Sequence, residues 1–111
     1  MKYALMIYGQ NVHAQMSETD REASAREYLS LNEVPGMFGG AQLHPVSSTT
    51  TVQVDDGKRI LTDGPFIEAK EYLGGFYLFE ADDLDAALDV AERIPAARMG
   101  GAVEVRPIVE R

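Results

Sequence analysis

Two short runs of the sequence are apolar on both of the faces that a β-strand presents. In residues 3–8 one face carries Tyr3, Leu5 and Ile7, and the other carries Ala4, Met6 and Tyr8. Residues 75–81 are apolar on both faces for most of their length. Strands with this pattern are central strands that other parts of the protein cover on both sides. The fold must therefore supply a cover for each face of its sheet.

Turn and capping signals predict the secondary structure of the first half of the chain. The first strand ends at Gly9-Gln10-Asn11, and residues 12–16 receive no assignment. A helix is predicted from Ser17 or Thr19 to about Leu31, because Thr19-Asp20-Arg21-Glu22 fits a capping box. Its helical spacing places Ala25, Tyr28, Leu29 and Asn32 on one thin stripe. Residues 37–43 form a second strand, in which Gly39-Gly40 indicates a bulge or a close backbone approach.

The second half of the chain begins with a hairpin. Residues 49–54 and 58–62 are its strands, and Asp56-Gly57 supplies the positive φ angles of a tight turn. A second helix is capped by Asp82-Asp83, ends before Pro95 and has Arg93 in its last turn. Its buried face is predicted to be Leu84, Ala87, Leu88, Ala91 and Ile94. The last strand is predicted over residues 102–109.

This order of elements is βαβ–βαβ with an inserted hairpin, which predicts a ferredoxin-like α+β sandwich. Two helices cover only one face of such a sheet. Exposing several large side chains on the other face costs roughly 1.5–3 kcal/mol each relative to burial. We therefore predict a homodimer with two-fold symmetry, in which a second copy packs sheet against sheet. The alternative is a monomer whose second face is covered by loops.

Composition limits the class of protein. A chain of 111 residues with 45% hydrophobic and 25% charged residues is expected to be one soluble globular domain, spanning residues 1–111. No apolar run is long enough to span a membrane. The chain has no cysteine, which suits a reducing cytoplasm. Its net charge of −8 argues against nucleic acid or an anionic membrane as a direct partner.

The hairpin is followed by an unusual concentration of charge and restricted backbone. Asp63 ends a predicted strand, and Gly64-Pro65 fixes its direction, so its carboxylate is a candidate general base in a cavity. The alternative is that Asp63 accepts backbone N–H groups and holds the turn. Glu68 is a further catalytic candidate if it faces a cavity. Lys70 lies near Glu68 and Glu71 and either pairs with them or binds a ligand.

Four other residues receive two interpretations each. Phe66 either packs or stacks on a ligand. His44, beside Pro45, is either a proton shuttle or an exposed strand end. Tyr77 and Arg106 either orient an anionic or phenolic ligand or make cross-strand or interface contacts. No metal or other cofactor is expected, because the chain has two distant histidines, no cysteine and no glycine-rich phosphate loop.

Several runs along the chain are distinctive as a set. They are Thr62-Asp63-Gly64-Pro65-Phe66 with Glu68 and Lys70-Glu71, Leu73-Gly74-Gly75-Phe76-Tyr77-Leu78, Asp83-Leu84-Asp85-Ala86-Ala87-Leu88, Ile94-Pro95-Ala96-Ala97 and Gly100-Gly101-Ala102-Val103-Glu104-Val105-Arg106-Pro107. With the opening Met1-Lys2-Tyr3 and Ile7-Tyr8-Gly9, they closely resemble the YCII-related family in its DGPF-type branch. The resemblance covers nearly the whole chain.

The resemblance implies a dimeric α+β barrel of ferredoxin-like subunits. It also implies a possible His–Asp active site, as in the YCII type, or a link to transcription initiation, as for DGPF proteins. This chain departs from the pattern, because its predicted first helix has no histidine and its two histidines are His13 and His44. Ala69 stands where the signature usually has threonine. A His–Asp pair is therefore not carried over.

Two hypotheses for function follow. One is a cofactor-independent acid/base enzyme on a small organic substrate, with Asp63 and His44 in a cavity. The other is a non-enzymatic dimer that binds a ligand or regulates transcription through protein contacts.

Overall fold

The computed structural model of the protein describes residues 1–9 and 16–111. The elements are, in chain order, β1 (Lys2–Gly9), α1 (Glu18–Leu31), β2 (Met37–Gln42), β3 (Thr50–Asp55), β4 (Lys58–Asp63), β5 (Tyr72–Glu80), α2 (Leu84–Ala91) and β6 (Ala102–Pro107). Short 3-10 turns cover Val46–Ser48 and Pro95–Arg98. The break expected beyond Gly9, most of residues 12–16 and His13 lie outside the described residues.

Four strands form one antiparallel sheet in the order β2-β5-β1-β6. The two runs that are apolar on both faces, β1 and β5, occupy its centre, with Leu5 opposite Tyr77 on one side and Val105 on the other. This confirms the ferredoxin-like α+β prediction. β5 begins at Tyr72, three residues earlier than predicted, because Tyr72 pairs with Gly9 at the end of β1.

One face of the sheet packs on the helices and forms the core. The buried side chains come from both central strands and from the helices and their C-terminal extensions: Tyr3, Leu5, Leu31, Tyr77, Phe79, Ala87, Val90, Ala91 and Ile94. Leu5 and Ile94 are fully buried, so burying them contributes roughly 1.5–3 kcal/mol each. Neither helix, within the part of the chain that is described, is long and apolar enough to cross a membrane.

The first helix is capped by Ser17, and the predicted capping box at Thr19 is wrong. The Ser17 hydroxyl accepts the backbone N–H of Asp20 at 3.1 Å, and Thr19 lies inside the helix. The predicted stripe is also displaced. Ser24 and Leu31 are the buried residues of α1, whereas Leu29 is 66% exposed. Because α1 has so few apolar residues, the spacing of its residues does not determine which of its faces is buried. Contacts with neighbouring elements determine it.

The second helix is capped by Asp83 as predicted, with its carboxylate accepting the N–H of Ala86 at 2.9 Å. It ends at Ala91, so Arg93 lies beyond its last turn and that part of the prediction is wrong. Leu84 and Leu88 are exposed, whereas Val90 is buried. The buried residues of this segment are Ala87, Val90 and Ala91 within α2 and Ile94 just beyond it.

The predicted bulge and hairpin are both confirmed. The register of β2 against β5 shifts between Met37 and Gly39. Gly40 has a φ of +151°, and a Cβ atom there would lie 2.5 Å from the carbonyl oxygen of Phe76. β3 and β4 form a separate two-stranded sheet. Asp56 and Gly57, with φ angles of +51° and +73°, make its turn.

The Tyr77 hydroxyl joins the sheet to the end of α1. It donates to the backbone carbonyl of Tyr28 at 2.7 Å. Tyr28 lies in the last turn of α1, where carbonyl oxygens lack partners within the helix. Burial raises the pKa of Tyr77 to about 12, and the nearby Tyr28 phenol adds to this effect.

Replacing Tyr77 with phenylalanine is expected to lower the free energy of unfolding by about 1–2 kcal/mol, because the Tyr28 carbonyl loses its partner. In the wild type, the raised pKa means that the unfolded chain ionises first. The stability from Tyr77 is therefore complete below pH 10 and is lost towards pH 12. Urea unfolding at pH 7 and at steps above pH 10 measures both effects.

Tyr3→Phe is the matched control, since the buried Tyr3 hydroxyl meets only the Met1 sulfur, at 3.6 Å, a weak acceptor. If Tyr3→Phe and Tyr77→Phe lower the free energy of unfolding equally, the hydrogen bond from Tyr77 to Tyr28 adds no measurable stability.

Candidate functional site

The connection from β4 to β5 borders an open groove of about 640 Å³. The groove is lined by the end of β4, the connection itself and the start of β5: Thr62, Asp63, Pro65, Glu68, Ala69, Lys70 and Tyr72. Three of the predicted site residues, Asp63, Glu68 and Lys70, therefore lie around one space. The groove is shallow and open to solvent, so in a single chain it covers a ligand on one side only.

The turn after Asp63 is held by the first strand of the hairpin. The N–H of Gly64 donates to the carbonyl of Thr49 at 2.7 Å, and the Thr51 hydroxyl donates to the carbonyl of Gly64 at 2.7 Å. Gly64 has a φ of +98°, which favours glycine. Thr51, rather than the Asp63 carboxylate, braces this turn.

The far end of the connection is held by Tyr72. Its hydroxyl accepts the backbone N–H of Ala69 at 3.1 Å. The hydroxyl proton remains available to an acceptor in the groove. Sequence reasoning missed Tyr72 as a site residue, because it stands at the start of a strand and resembles any strand aromatic. The signal that could have found it is its position three residues after Ala69, where a phenol reaches back over a turn.

The charged groups of the groove are not used by the fold. Within residues 1–9 and 16–111, no hydrogen bond or ion pair involves the side chains of Asp63, Glu68 or Lys70. The expected pairing of Lys70 with Glu68 or Glu71 is therefore not seen there. The ion pair of the described chain joins Arg98 to Glu27, and it ties the 3-10 turn at residues 95–98 to α1. The groove thus presents two carboxylates and one ammonium to solvent.

The other predicted site residues lie elsewhere. His44 is exposed after β2 and does not line the groove, and Phe66 is 71% exposed in the connection. Tyr77 is buried among the core residues against α1. Arg106 is exposed on β6, on the face of the sheet away from the helices. The structure does not bring His44, Tyr77 or Arg106 to the groove, and their part in a site stays a prediction.

The face of the sheet away from the helices is apolar at its centre. The side chains there are Ala4, Met6 and Tyr8 from β1 and Phe76 and Leu78 from β5, with Glu104 and Arg106 from β6 beside them. No described helix covers this face, and its central side chains remain half-buried. Burial raises the pKa of Tyr8, and the negative charge of Glu104 adds to this shift while Arg106 opposes it. We refer to these residues as the open face.

The surface of a single chain is large for its mass. The solvent-accessible area is 8121 Å², whereas a compact folded monomer of 12.2 kDa has about 6,000 Å². The radius of gyration is 15.9 Å, compared with about 13 Å for a compact domain of this length. A single chain therefore leaves about 2,000 Å² more surface in water than its mass requires.

Comparison with known proteins gives two matches. A family model described as the YCII-related domain matches residues 1–111. An uncharacterized protein of Rhizobium meliloti (strain 1021) is 35% identical over 114 residues, an alignment that covers 97% of this chain and 92% of the relative. The name of that relative states no activity.

Proposed function

The chain belongs to the YCII-related family, and on this basis we propose that it is a homodimer that binds a small organic molecule in the groove between β4 and β5. We propose further that it acts on this molecule by acid/base chemistry without a cofactor. One observation carries the proposal: Asp63, Glu68 and Lys70 border a single groove of about 640 Å³, and their side chains make no hydrogen bond or ion pair with residues 1–9 or 16–111. The sequence Asp63-Gly64-Pro65-Phe66 supports placement in the DGPF-type branch.

The dimer is supported by the open face. Its apolar centre has no cover within the described chain, and a second copy packed sheet against sheet gives each face the same apolar partner. The surplus of about 2,000 Å² for each chain falls within the range of about 1,000–2,500 Å² that a permanent dimer buries per subunit. Tyr8, Glu104 and Arg106 lie where β1 pairs with β6. From there they can contact each other across the strands or contact the second copy.

Each group in the groove has a chemical role in the proposal. The Asp63 carboxylate removes a proton from a carbon or hydroxyl group of the ligand. The Lys70 ammonium and the Tyr72 hydroxyl stabilise the negative charge that develops on the ligand oxygen. The protonated Asp63 carboxyl group then returns the proton at a second atom of the ligand, and the Glu68 carboxylate accepts a hydrogen bond from a ligand hydroxyl group. Because the groove is bordered by both acids and a cation, a small molecule with a carbonyl or phenol group suits it best.

A second candidate function is a binding module without catalysis. The observation in its favour is that Asp63 and Glu68 are exposed, and that His44, the expected proton partner, does not line the groove. In this case the dimer recognises a ligand or another protein, and a role in transcription initiation proceeds through protein contacts. Its net charge of −8 disfavours direct contact with DNA.

Asp63→Asn distinguishes the two functions. The enzyme proposal predicts that turnover falls by about 10²–10⁴-fold, because a general base is lost. The free energy of unfolding and the dimer should change little, since Thr51 holds the turn. The measurement is turnover of a panel of small carbonyl and phenolic compounds by NMR, with shifts of the amides of residues 62–72 reporting binding.

Thr51→Val is the matched control. It removes the bond to the Gly64 carbonyl and should lower the free energy of unfolding by about 1 kcal/mol. Wild-type binding of a panel compound without turnover supports the module. An Asp63→Asn protein with unchanged turnover contradicts the enzyme proposal. If no compound of the panel binds in the groove, the enzyme and the ligand-binding module are both contradicted, and only recognition of another protein remains.

A further inference from the structure

The hairpin is amphipathic, although none of its apolar residues is buried. We call residues 50–63, which comprise β3, its turn and β4, the arm. In the observed register, paired residues share a face, so Val52 and Leu61 lie beside Val54 on one side. The opposite side carries Thr51, Gln53, Asp55, Lys58, Ile60 and Thr62. One side of the arm, which we call its apolar side, therefore has three large apolar side chains beside Thr50, Arg59 and Asp63, and the other side is mainly polar.

The apolar side of the arm has no cover within the described chain. Val52, Val54 and Leu61 are 58%, 72% and 58% exposed. The arm is a two-stranded sheet separate from the main sheet, and it is anchored at its base by the bonds of Gly64 to Thr49 and Thr51. An isolated two-stranded hairpin is marginally stable in water. A hairpin with three exposed apolar side chains on one side is therefore expected to lie against another surface.

We infer that the apolar side of the arm is covered by a second copy of this chain, and that this copy completes the groove at the base of the arm. The inference rests on the proposed function for its dimer. It adds a contact, since the proposed dimer joins the two open faces, whereas the arm is a separate surface formed by other residues. In a two-fold dimer each arm reaches the other subunit, so the contact occurs twice.

A second copy fits the arm better than a different partner. The surplus of about 2,000 Å² per chain includes both the open face and the arm, so a dimer that covers both needs no further molecule. Arg59 lies on the apolar side, opposite Val54. Because each copy has a net charge of −8, long-range electrostatics oppose association, so apolar burial and not this guanidinium has to stabilise the contact.

The groove is connected to this contact through Asp63. Asp63 pairs with Thr50 at the base of the arm, so its side chain lies on the same side as Val52 and Leu61. A subunit that covers the apolar side therefore also lies over the Asp63 side of the groove. It excludes water from the carboxylate and gives the open groove its missing wall. The ligand site is then shared between two subunits.

Two single-cysteine variants test the inference, since the natural chain has no cysteine. Val54→Cys places a thiol on the apolar side, and Gln53→Cys places one on the adjacent polar side of the same strand. Both positions are exposed in a single chain. In the assembled protein, N-ethylmaleimide should modify the Val54→Cys thiol about tenfold or more slowly than the Gln53→Cys thiol, because modification must await uncovering. The same pair with Leu78→Asp, which disrupts the open face, should react at similar rates.

Sedimentation of each variant separates the outcomes. Equal rates in a protein that sediments as a dimer overturn the arm contact and leave the open-face dimer in place. A protein that sediments as a single chain overturns both the arm contact and the proposed dimer. Protection of the Val54→Cys thiol that persists in a single chain shows a cover from within the same chain, and it also overturns the inference.

Discussion

Leu78→Asp is expected to convert the protein from a dimer to a single chain in sedimentation equilibrium at micromolar concentration. Leu78 lies at the centre of the open face, opposite Ala4 in the register of β1 and β5. A carboxylate there would be buried without a partner in the proposed interface, at a cost of several kcal/mol for each subunit. The dissociation constant of the dimer should therefore rise about a thousandfold or more.

Leu88→Asp is the matched control for this variant. It makes the same substitution on α2, where Leu88 is 45% exposed and lies outside the core. Its dissociation constant should equal that of the wild type within a factor of about three. Should Leu78→Asp sediment as the wild type does, the open face is not the interface, and the sheet-to-sheet dimer must be abandoned.

Gly40→Ala is expected to cause a large loss of stability at the edge of the main sheet. The new Cβ would lie 2.5 Å from the carbonyl oxygen of Phe76 and 3.1 Å from the Cα of Tyr77. Both atoms belong to the backbone of a central strand, so neither moves easily. With the additional strain of a φ of +151°, the expected loss is about 3 kcal/mol in the free energy of unfolding. Chemical denaturation monitored by circular dichroism measures it.

Gly9→Ala is the comparison, because a Cβ atom at Gly9 meets nothing within 4 Å. It should change the free energy of unfolding by less than about 1 kcal/mol. Equal losses in the two variants would show that the backbone of β2 adjusts freely around the bulge.

The strands were predictable from the sequence because their signals are local. The continuous apolar run of β1, the Asp56-Gly57 turn and the pair Gly39-Gly40 are each recognisable within a few neighbouring residues. The burial of the helices was less predictable. In α2 the spacing allowed two overlapping faces, and contact with the sheet selected the one with Val90 over the one with Leu88. That choice depends on residues distant in sequence.

The candidate site was predictable in part. The concentration of charge from Asp63 to Lys70 directed attention to Asp63, Glu68 and Lys70, which border one groove, and their role in a site stays a prediction. The role of Thr51 was not predictable, since its bond to Gly64 spans 13 residues and requires the hairpin to fold first. His44 was included on its chemistry alone, and its distance from the groove depends on the path of the chain after β2. Which residues lie close to one another in space depends on tertiary packing, and residue type alone does not predict it.

The two outer strands of the main sheet bear on how far assembly can proceed. β2 carries the bulge at Phe38 and the strained Gly40, and β6 ends in Pro107, which has no N–H to donate. Edge strands with a bulge or a proline pair poorly with a further strand, so they resist the strand-by-strand addition that leads to fibrils. Addition of further strands to the sheet is therefore disfavoured at both of its edges.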